Sequence, residues 1–419
     1  MSYPAPILNL NFANAKQLVH PAVAFSRPSQ GSYFDSNEGL RYAPAGVPRF
    51  DHDPLTGICK GLLVEPSVTF LDTYSEQFDN AAWTKTRCSI TADLALSPDG
   101  SMTSDKMIED TTANASHEIS QAISFTTGVV SCDVFLRAGE RMFARVLLSD
   151  GATGSIYVDV NLSTGEHSDV VSSGSWTGAS AEICYAGYGL YRVYISGVAA
   201  SGTGKILTVY ASPALGVVAY TGDGSSGIYI WGANIYAGSG PTSYLPTTSA
   251  GVTRAADVCS VDLTKLKDVG GNALWSGVEG TIVFDGEFIG DTPSSYLPVL
   301  TIDDGTINNR IGIYRIGSLE QIYATMQVSA VEQLSLTYTT SINPHNRFKS
   351  SFAFSENSTA MSVSGSEVQS DFVCSVPANT TNLRLCSDSA GNMTRMLVRS
   401  IKLYNRRIPD EYLPILSTL

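Results

Sequence analysis

The sequence predicts an all-β protein, an extended N-terminal arm followed by two β-sandwich (jelly-roll) domains. Only 16% of the 419 residues are charged and glycine numbers 37, a makeup that disfavours long solvent-facing helices. Short apolar runs recur at close intervals with Gly, Asn, Asp and Ser between them, the rhythm of strands and hairpin turns. The length exceeds one sandwich, since roughly 100 to 200 residues per domain gives two or three units. The expected divisions are 1–72, 73–250 and 251–419.

Residues 1–72 hold eight of the eighteen prolines and show no clear periodic strand pattern, so they read as an extended arm without a core of its own. Its apolar stretches at 8–12 and 61–64 then need another domain, another subunit or a larger assembly to be buried against. Asp51-His52-Asp53 with Asp35 offers hard and borderline metal ligands. Yet Asp51-x-Asp53-Pro-x-Thr-Gly57 is turn chemistry, in which short carboxylates accept backbone hydrogen bonds. No metal or cofactor is expected.

From 73 to 250, strands are expected at 117–125, 129–137, 142–148, 155–162, 181–186, 191–196, 206–211 and 228–236, with Asp99-Gly100, Asp150-Gly151 and Asp223-Gly224 as turns. The last strand is apolar on both faces: simple alternation puts Ile228, Ile230 and Tyr236 on one side, and Tyr229, Trp231 and Ile235 on the other. Gly238, Gly240, Pro241 and Pro246 then stop regular pairing and mark a boundary. Trp83 and Trp231 read as core. Trp176, Tyr185 and Tyr188 lie in or beside Gly- and Ser-rich turns, where flat rings either stack on sugars or plug the sandwich end.

Beyond the elbow, residues 263–269 look briefly helical. A second set of strands follows at 281–288, 311–316, 321–328, 334–338, 348–354, 360–363, 383–386 and 394–404, another sandwich. Asp303-Asp304-Gly305 reads as a hairpin turn, since it lacks the further oxygen ligands calcium requires.

Composition excludes several functions. The net charge of -13 leaves no basic run to track phosphates, so no nucleic-acid partner is expected. Neither a signal peptide nor a run of about 18 apolar residues is present, so membrane insertion is not expected and a soluble product of the cytosol is. Seven cysteines (Cys59, Cys88, Cys132, Cys184, Cys259, Cys374 and Cys386) form an odd, irregular set and read as buried free thiols.

Three motifs in the arm carry a resemblance: Phe25-Ser-Arg-Pro-Ser-Gln-Gly-Ser-Tyr-Phe-Asp35, Val47-Pro-Arg-Phe-Asp-His-Asp-Pro-Leu-Thr-Gly57 and Gly61-Leu-Leu-Val-Glu65. They resemble an N-terminal region recurrent in tailed-bacteriophage fibre and head-spike proteins. Tyr74-Ser-Glu-Gln-Phe-Asp-Asn-Ala-Ala-Trp-Thr-Lys85, Tyr188-Gly-Leu-Tyr-Arg-Val193 and Thr242-Ser-Tyr-Leu-Pro-Thr-Thr248 are similar to the spike domain that follows it, whose architecture is that of carbohydrate-binding modules. Val398-Arg-Ser-Ile-Lys-Leu-Tyr-Asn-Arg-Arg-Ile-Pro-Asp-Glu-Tyr-Leu413 resembles the end of concanavalin-A-like, laminin-G-like domains. The resemblance implies a structural protein at the virion surface, a homotrimer. Its arm, through Tyr33, Phe34, Arg49, Phe50, Asp51, Asp53, Leu62 and Leu63, would assemble with capsid, collar or tail proteins. A host surface glycan is the alternative partner.

Catalysis finds little support in the residues. Asp285 and Glu287 share a strand face, but nothing nearby marks a groove. No histidine sits in a nucleophile motif, and the fixed-period repeat of a β-helix depolymerase is missing. The expectation is a protein that is not an enzyme.

Overall fold

The computed structural model describes residues 4–14, 20–125, 128–151, 154–199, 204–290, 296–317, 320–338 and 342–419. They form two β-sandwiches with antiparallel pairing throughout. No helix among the described residues is long and apolar enough to cross a membrane.

The first sandwich lays two sheets face to face. One runs in the order Trp176–Tyr185, Tyr191–Ala199, Gly128–Ala138, Gly227–Ala237, Ser104–Glu109, Cys88–Ala95. The other runs Val171–Ser173, Ser155–Asn161, Phe143–Ser149, Gly204–Ser212, Glu118–Ser124, Thr84–Thr86. Alternate residues such as Val146, Leu148, Val193 and Ile195 fill the space between the sheets, which is what a period of two demands.

One expectation of simple alternation fails. Gly232, at φ +57, puts an extra residue into Gly227–Ala237 opposite the stretch between Asp133 and Phe135. A bulge reverses which side chains face which way. Ile228, Ile230, Ala233 and Ile235 therefore all enter one core, while Trp231 and Tyr236 pack on the opposite face. Both faces are buried, but Ile235 and Tyr236 have exchanged sides.

In the second sandwich one sheet runs Gln369–Asp371, Ser358–Val363, Arg347–Ser355, Glu279–Phe288, Met396–Tyr404, Cys59–Val64, Arg49–His52, with Leu8–Asn11 also paired to Met396–Tyr404. The other runs Val23–Ser26, Val258–Asp262, Asn382–Leu385, Leu297–Asp303, Arg310–Ile316, Gln321–Val328, Val331–Tyr338. Leu297–Asp303 lies outside the expected strands, and its Pro298 lacks the N–H that a central strand uses. It is accommodated where the register shifts between Pro298 and Leu300. The helical look of 263–269 reduces to a 3-10 turn at Leu263–Lys265, capped by Asp262.

The N-terminal segment is extended and makes no lobe of its own, but the lack of strand pattern is corrected. Four of its strands belong to the second sandwich, and Val68–Phe70 pairs with Gly227–Ala237 of the first. Leu8, Leu10, Phe12, Phe50, Leu62 and Val64 lie in the second sandwich's core. The partner this segment needs is its own chain, so its apolar residues do not by themselves require a subunit or a virion. Gly61 shows how close the fit is: its φ is +123 and a Cβ there would lie 2.3 Å from the Val398 carbonyl oxygen, a contact only glycine avoids.

Candidate functional site

Where the N-terminal segment, the elbow after Ala237 and both sandwiches meet, the chain buries a charge network. Arg49 donates from one guanidinium to both Glu65 (2.7 Å) and Asp257. Arg27 reaches Asp257 at 3.1 Å, and Arg254 and Arg395 approach Glu65 at 3.7 and 3.6 Å. Burial opposes the Glu65 charge, but Arg254, Arg49 and Arg395 outweigh it and hold the carboxyl well below its usual range. Thr242 Oγ1 and the Ser243 N–H and hydroxyl donate to the same carboxylate. The planar fork of arginine suits such shared carboxylates.

Above this network opens a cleft of ≈ 270 Å³. Its floor is the outward face of the first sandwich, where Glu182, Cys184 and Arg192 alternate with the inward Ile183 and Val193. The hairpin Gly31–Phe34 with Leu40–Ala43 and the turn at 51–55 form one wall. Glu287, Ile289, His345 and Leu397 of the second sandwich form the other.

Ion pairs span it. His345 Nε2 lies 3.0 Å from Glu182 Oε2, joining the two sandwiches. Burial pulls the imidazole pKa down, but the hydrogen bond and charge of Glu182 exceed that and raise it. Lys60 Nζ stands 2.8 Å from Glu287 Oε1, and Arg192 Nη2 is 2.6 Å from the buried Asp133. Two acceptors stand beside these pairs. The Asp51 carboxylate accepts from the Phe34 N–H at 2.7 Å, its one hydrogen bond among the described residues. Burial pushes its carboxyl up to about 6, with that bond and Lys60 pulling partly back. His52 is 4% exposed, and its Nδ1 stands 3.0 Å from the Phe34 carbonyl oxygen. A carbonyl only accepts, so Nδ1 carries the proton and neutral His52 keeps its lone pair on Nε2.

The predicted residues scatter relative to this cleft. Tyr185 lines it, its hydroxyl 3.2 Å from Glu38 and its ring edge-on to Tyr191. Tyr188 packs beside Leu190 and Trp231 at the sandwich end, with φ +51. Trp176 is 4% exposed in the core between the sheets and offers no free ring face. Trp83 and Trp231 are buried as expected. Of the assembly set, Arg49, Phe50, Leu62 and Leu63 are buried within the chain, while Tyr33, Phe34, Asp51 and Asp53 line the cleft. Asp53 caps the turn at Leu55 and Thr56, and Asp35 pairs with Arg41, so the acidic cluster disperses into local roles.

Asp285 is held bidentately by Arg347, and Asp304 caps its own hairpin turn while Asp303 holds Arg384. Glu287 faces the junction cleft and Asp285 lines a separate groove with Arg347 and Arg399, which corrects the expectation that no groove lay near. Cys184 is exposed, unlike the buried Cys59, Cys132, Cys259, Cys374 and Cys386. Sequence reasoning missed Lys60, Glu182, Arg192 and His345 because no local spacing joins residues this far apart in the chain.

No family profile and no curated protein matches this sequence. Solved structures do. A Ruminococcus gnavus IT-sialidase CBM40 is 11% identical with a TM-score of 0.31, over 38% of this chain and 91% of that one. Domains LG4-5 of the mouse laminin alpha1 chain are 10% identical with a TM-score of 0.24, over 71% and 90%. Trypanosoma rangeli sialidase is 11% identical with a TM-score of 0.28, over 80% and 62%. The chain is thus similar to carbohydrate-binding and laminin-G β-sandwiches, a likeness of fold that assigns no ligand. The expectation of a protein that is not an enzyme is corrected here: sialidases stand among the neighbours, so the chain is not classed as non-enzymatic.

Proposed function

We propose that this chain is an adhesion protein that holds a host-surface glycan in the junction cleft. One observation carries the reading: a cleft of ≈ 270 Å³ whose walls bring the rings of Tyr33, Phe34 and Tyr185 together with Asp51, Lys60, Glu182, Glu287 and His345. Sugar sites need flat apolar faces beside a few fixed polar groups. The buried charge network beneath supplies rigidity, since Arg49 ties Glu65 to Asp257 and cannot leave without weakening the pairing of both. The motifs resembling tailed-phage fibre and spike proteins suggest the setting, a trimer displayed on a virion, where several weak sites on one particle multiply avidity.

Binding of the labelled protein to susceptible bacteria and to their purified surface polysaccharide tests the reading. Tyr185→Ala should lower cell binding about tenfold, the scale of one lost stacking contact. Equal binding by wild type and variant across cells and glycans would remove the cleft as the seat. The particle setting has its own check, light scattering of the purified chain: a strict monomer that does not associate with virions would exclude it.

A further inference from the structure

We infer that the cleft takes an uncharged, hydroxyl-rich sugar and rejects an anionic one. This rests on the reading of the cleft as a glycan seat and specifies what sits there. The cations around the cleft are each engaged by a carboxylate: Lys60 by Glu287, His345 by Glu182, Arg192 by Asp133, and Arg49 below by Glu65 and Asp257. A sialic or uronic acid carboxylate would have to displace one of these partners. That exchange leaves a carboxylate in the cleft without its cation, and the incoming charge also meets Asp51 and Asp53 on the same wall.

Two acceptors stand among the groups left over. Asp51 faces no cation within ion-pair distance and receives only the Phe34 N–H among the described residues. His52, nine-tenths and more buried, has its Nδ1 proton committed to the Phe34 carbonyl and keeps an acceptor lone pair on Nε2. Both are fixed by the backbone of one residue, Phe34, so their positions are set before any ligand arrives. A carboxylate and an imidazole lone pair accept from hydroxyl donors, and a neutral sugar supplies those in adjacent pairs while bringing no charge to be offset. A hydrogen bond to a charged acceptor also discriminates more strongly than a neutral one.

Calorimetric titration of the full chain at pH 7.5 with neutral oligosaccharides, and with their sialylated or uronic-acid counterparts, tests this. Neutral sugars should bind and acidic ones should bind at least about tenfold more weakly, the scale of one uncompensated charge contact. Asp51→Asn should weaken neutral-sugar binding by about the same factor. Glu287→Gln, which releases Lys60, should raise affinity for the acidic sugars, and this gain of binding is not a result that misfolding can produce. Preference of the native chain for acidic sugars, lost with Tyr185→Ala, would overturn the inference while leaving the cleft a glycan seat. Binding of neither class would overturn both.

Discussion

Asp72 and Glu76 lie in a polar seam behind the elbow, where Asp72 accepts from the Ile235 N–H at 2.7 Å and Thr247 Oγ1 at 2.9 Å, and Glu76 from the Tyr244 hydroxyl at 3.0 Å. Burial pushes both carboxyls up to about 7, more than these hydrogen bonds pull them back. A carboxyl whose pKa is higher in the folded chain than in the unfolded one favours folding at low pH, and that share is lost as pH rises through the folded value. Glu65 has the opposite sign: its pKa is depressed in the folded chain, so its contribution is present at neutral pH and lost on acidification below its unfolded value. Stability should therefore fall on both sides of mildly acidic pH. Thermal melts from about pH 5 to about 8.5 should show the melting temperature of wild type dropping from the start of that range and levelling off once pH has passed about 7, where the folded chain ionises these carboxyls too, and Asp72→Asn with Glu76→Gln flattening the drop. Parallel slopes in wild type and variant would mean that other groups govern the alkaline side.

Among the elements, the strands of residues 4–64 depend on partners far along the chain. Leu8 pairs opposite Leu403 and Leu10 opposite Ile401, and both leucines are 2% exposed. Leu10→Ala removes buried methyl groups from the second sandwich and should cost about 2–5 kcal/mol, read from urea unfolding followed by tryptophan fluorescence. Trp275 of that core should report the loss, while a full-sized loss confined to the first sandwich would show that these strands do not stabilise the second. The same geometry explains what the sequence could reveal. Long strands such as Tyr191–Ala199 and Arg347–Ser355 announce themselves by alternation within nine residues. Leu8–Asn11 and Val23–Ser26 are four residues long, too short for a period to show among so many prolines, and their pairing is visible only once the distant strand is in place. The cleft was legible in part for the same reason. The wall at Tyr33 to Asp53 carried a motif, whereas Glu182 and His345 meet only because two sandwiches do.

At the scale of the molecule, the buried network decides whether N-terminal segment, elbow and sandwiches act as one body. Arg27, Arg49, Glu65, Arg254 and Asp257 come from these separate stretches of chain and are all 1% exposed or less. Removing charged side chains from water is costly, and the arrangement holds only while each carboxylate keeps its guanidinium partners. Arg49→Met leaves Glu65 and Asp257 short of the guanidinium that holds both most closely, with Arg254 standing 3.7 and 3.9 Å from them, and should destabilise by about 3–5 kcal/mol in urea unfolding. Adding Glu65→Gln to that variant removes one under-paired carboxylate and should recover part of the loss, with the two changes far from additive. Surface pairs such as Lys265 with Asp262, at 3.5 Å and largely exposed, provide the contrast, since solvent and salt screen them and their removal should change stability little. Because the network lies directly under Thr242 and Ser243, which also line the cleft, Arg49→Met should loosen the proposed glycan seat as well. Its sugar affinity should fall at temperatures where the chain is still folded. Retention of full affinity in a destabilised but folded Arg49→Met would separate the two roles and confine the network to holding the domains together.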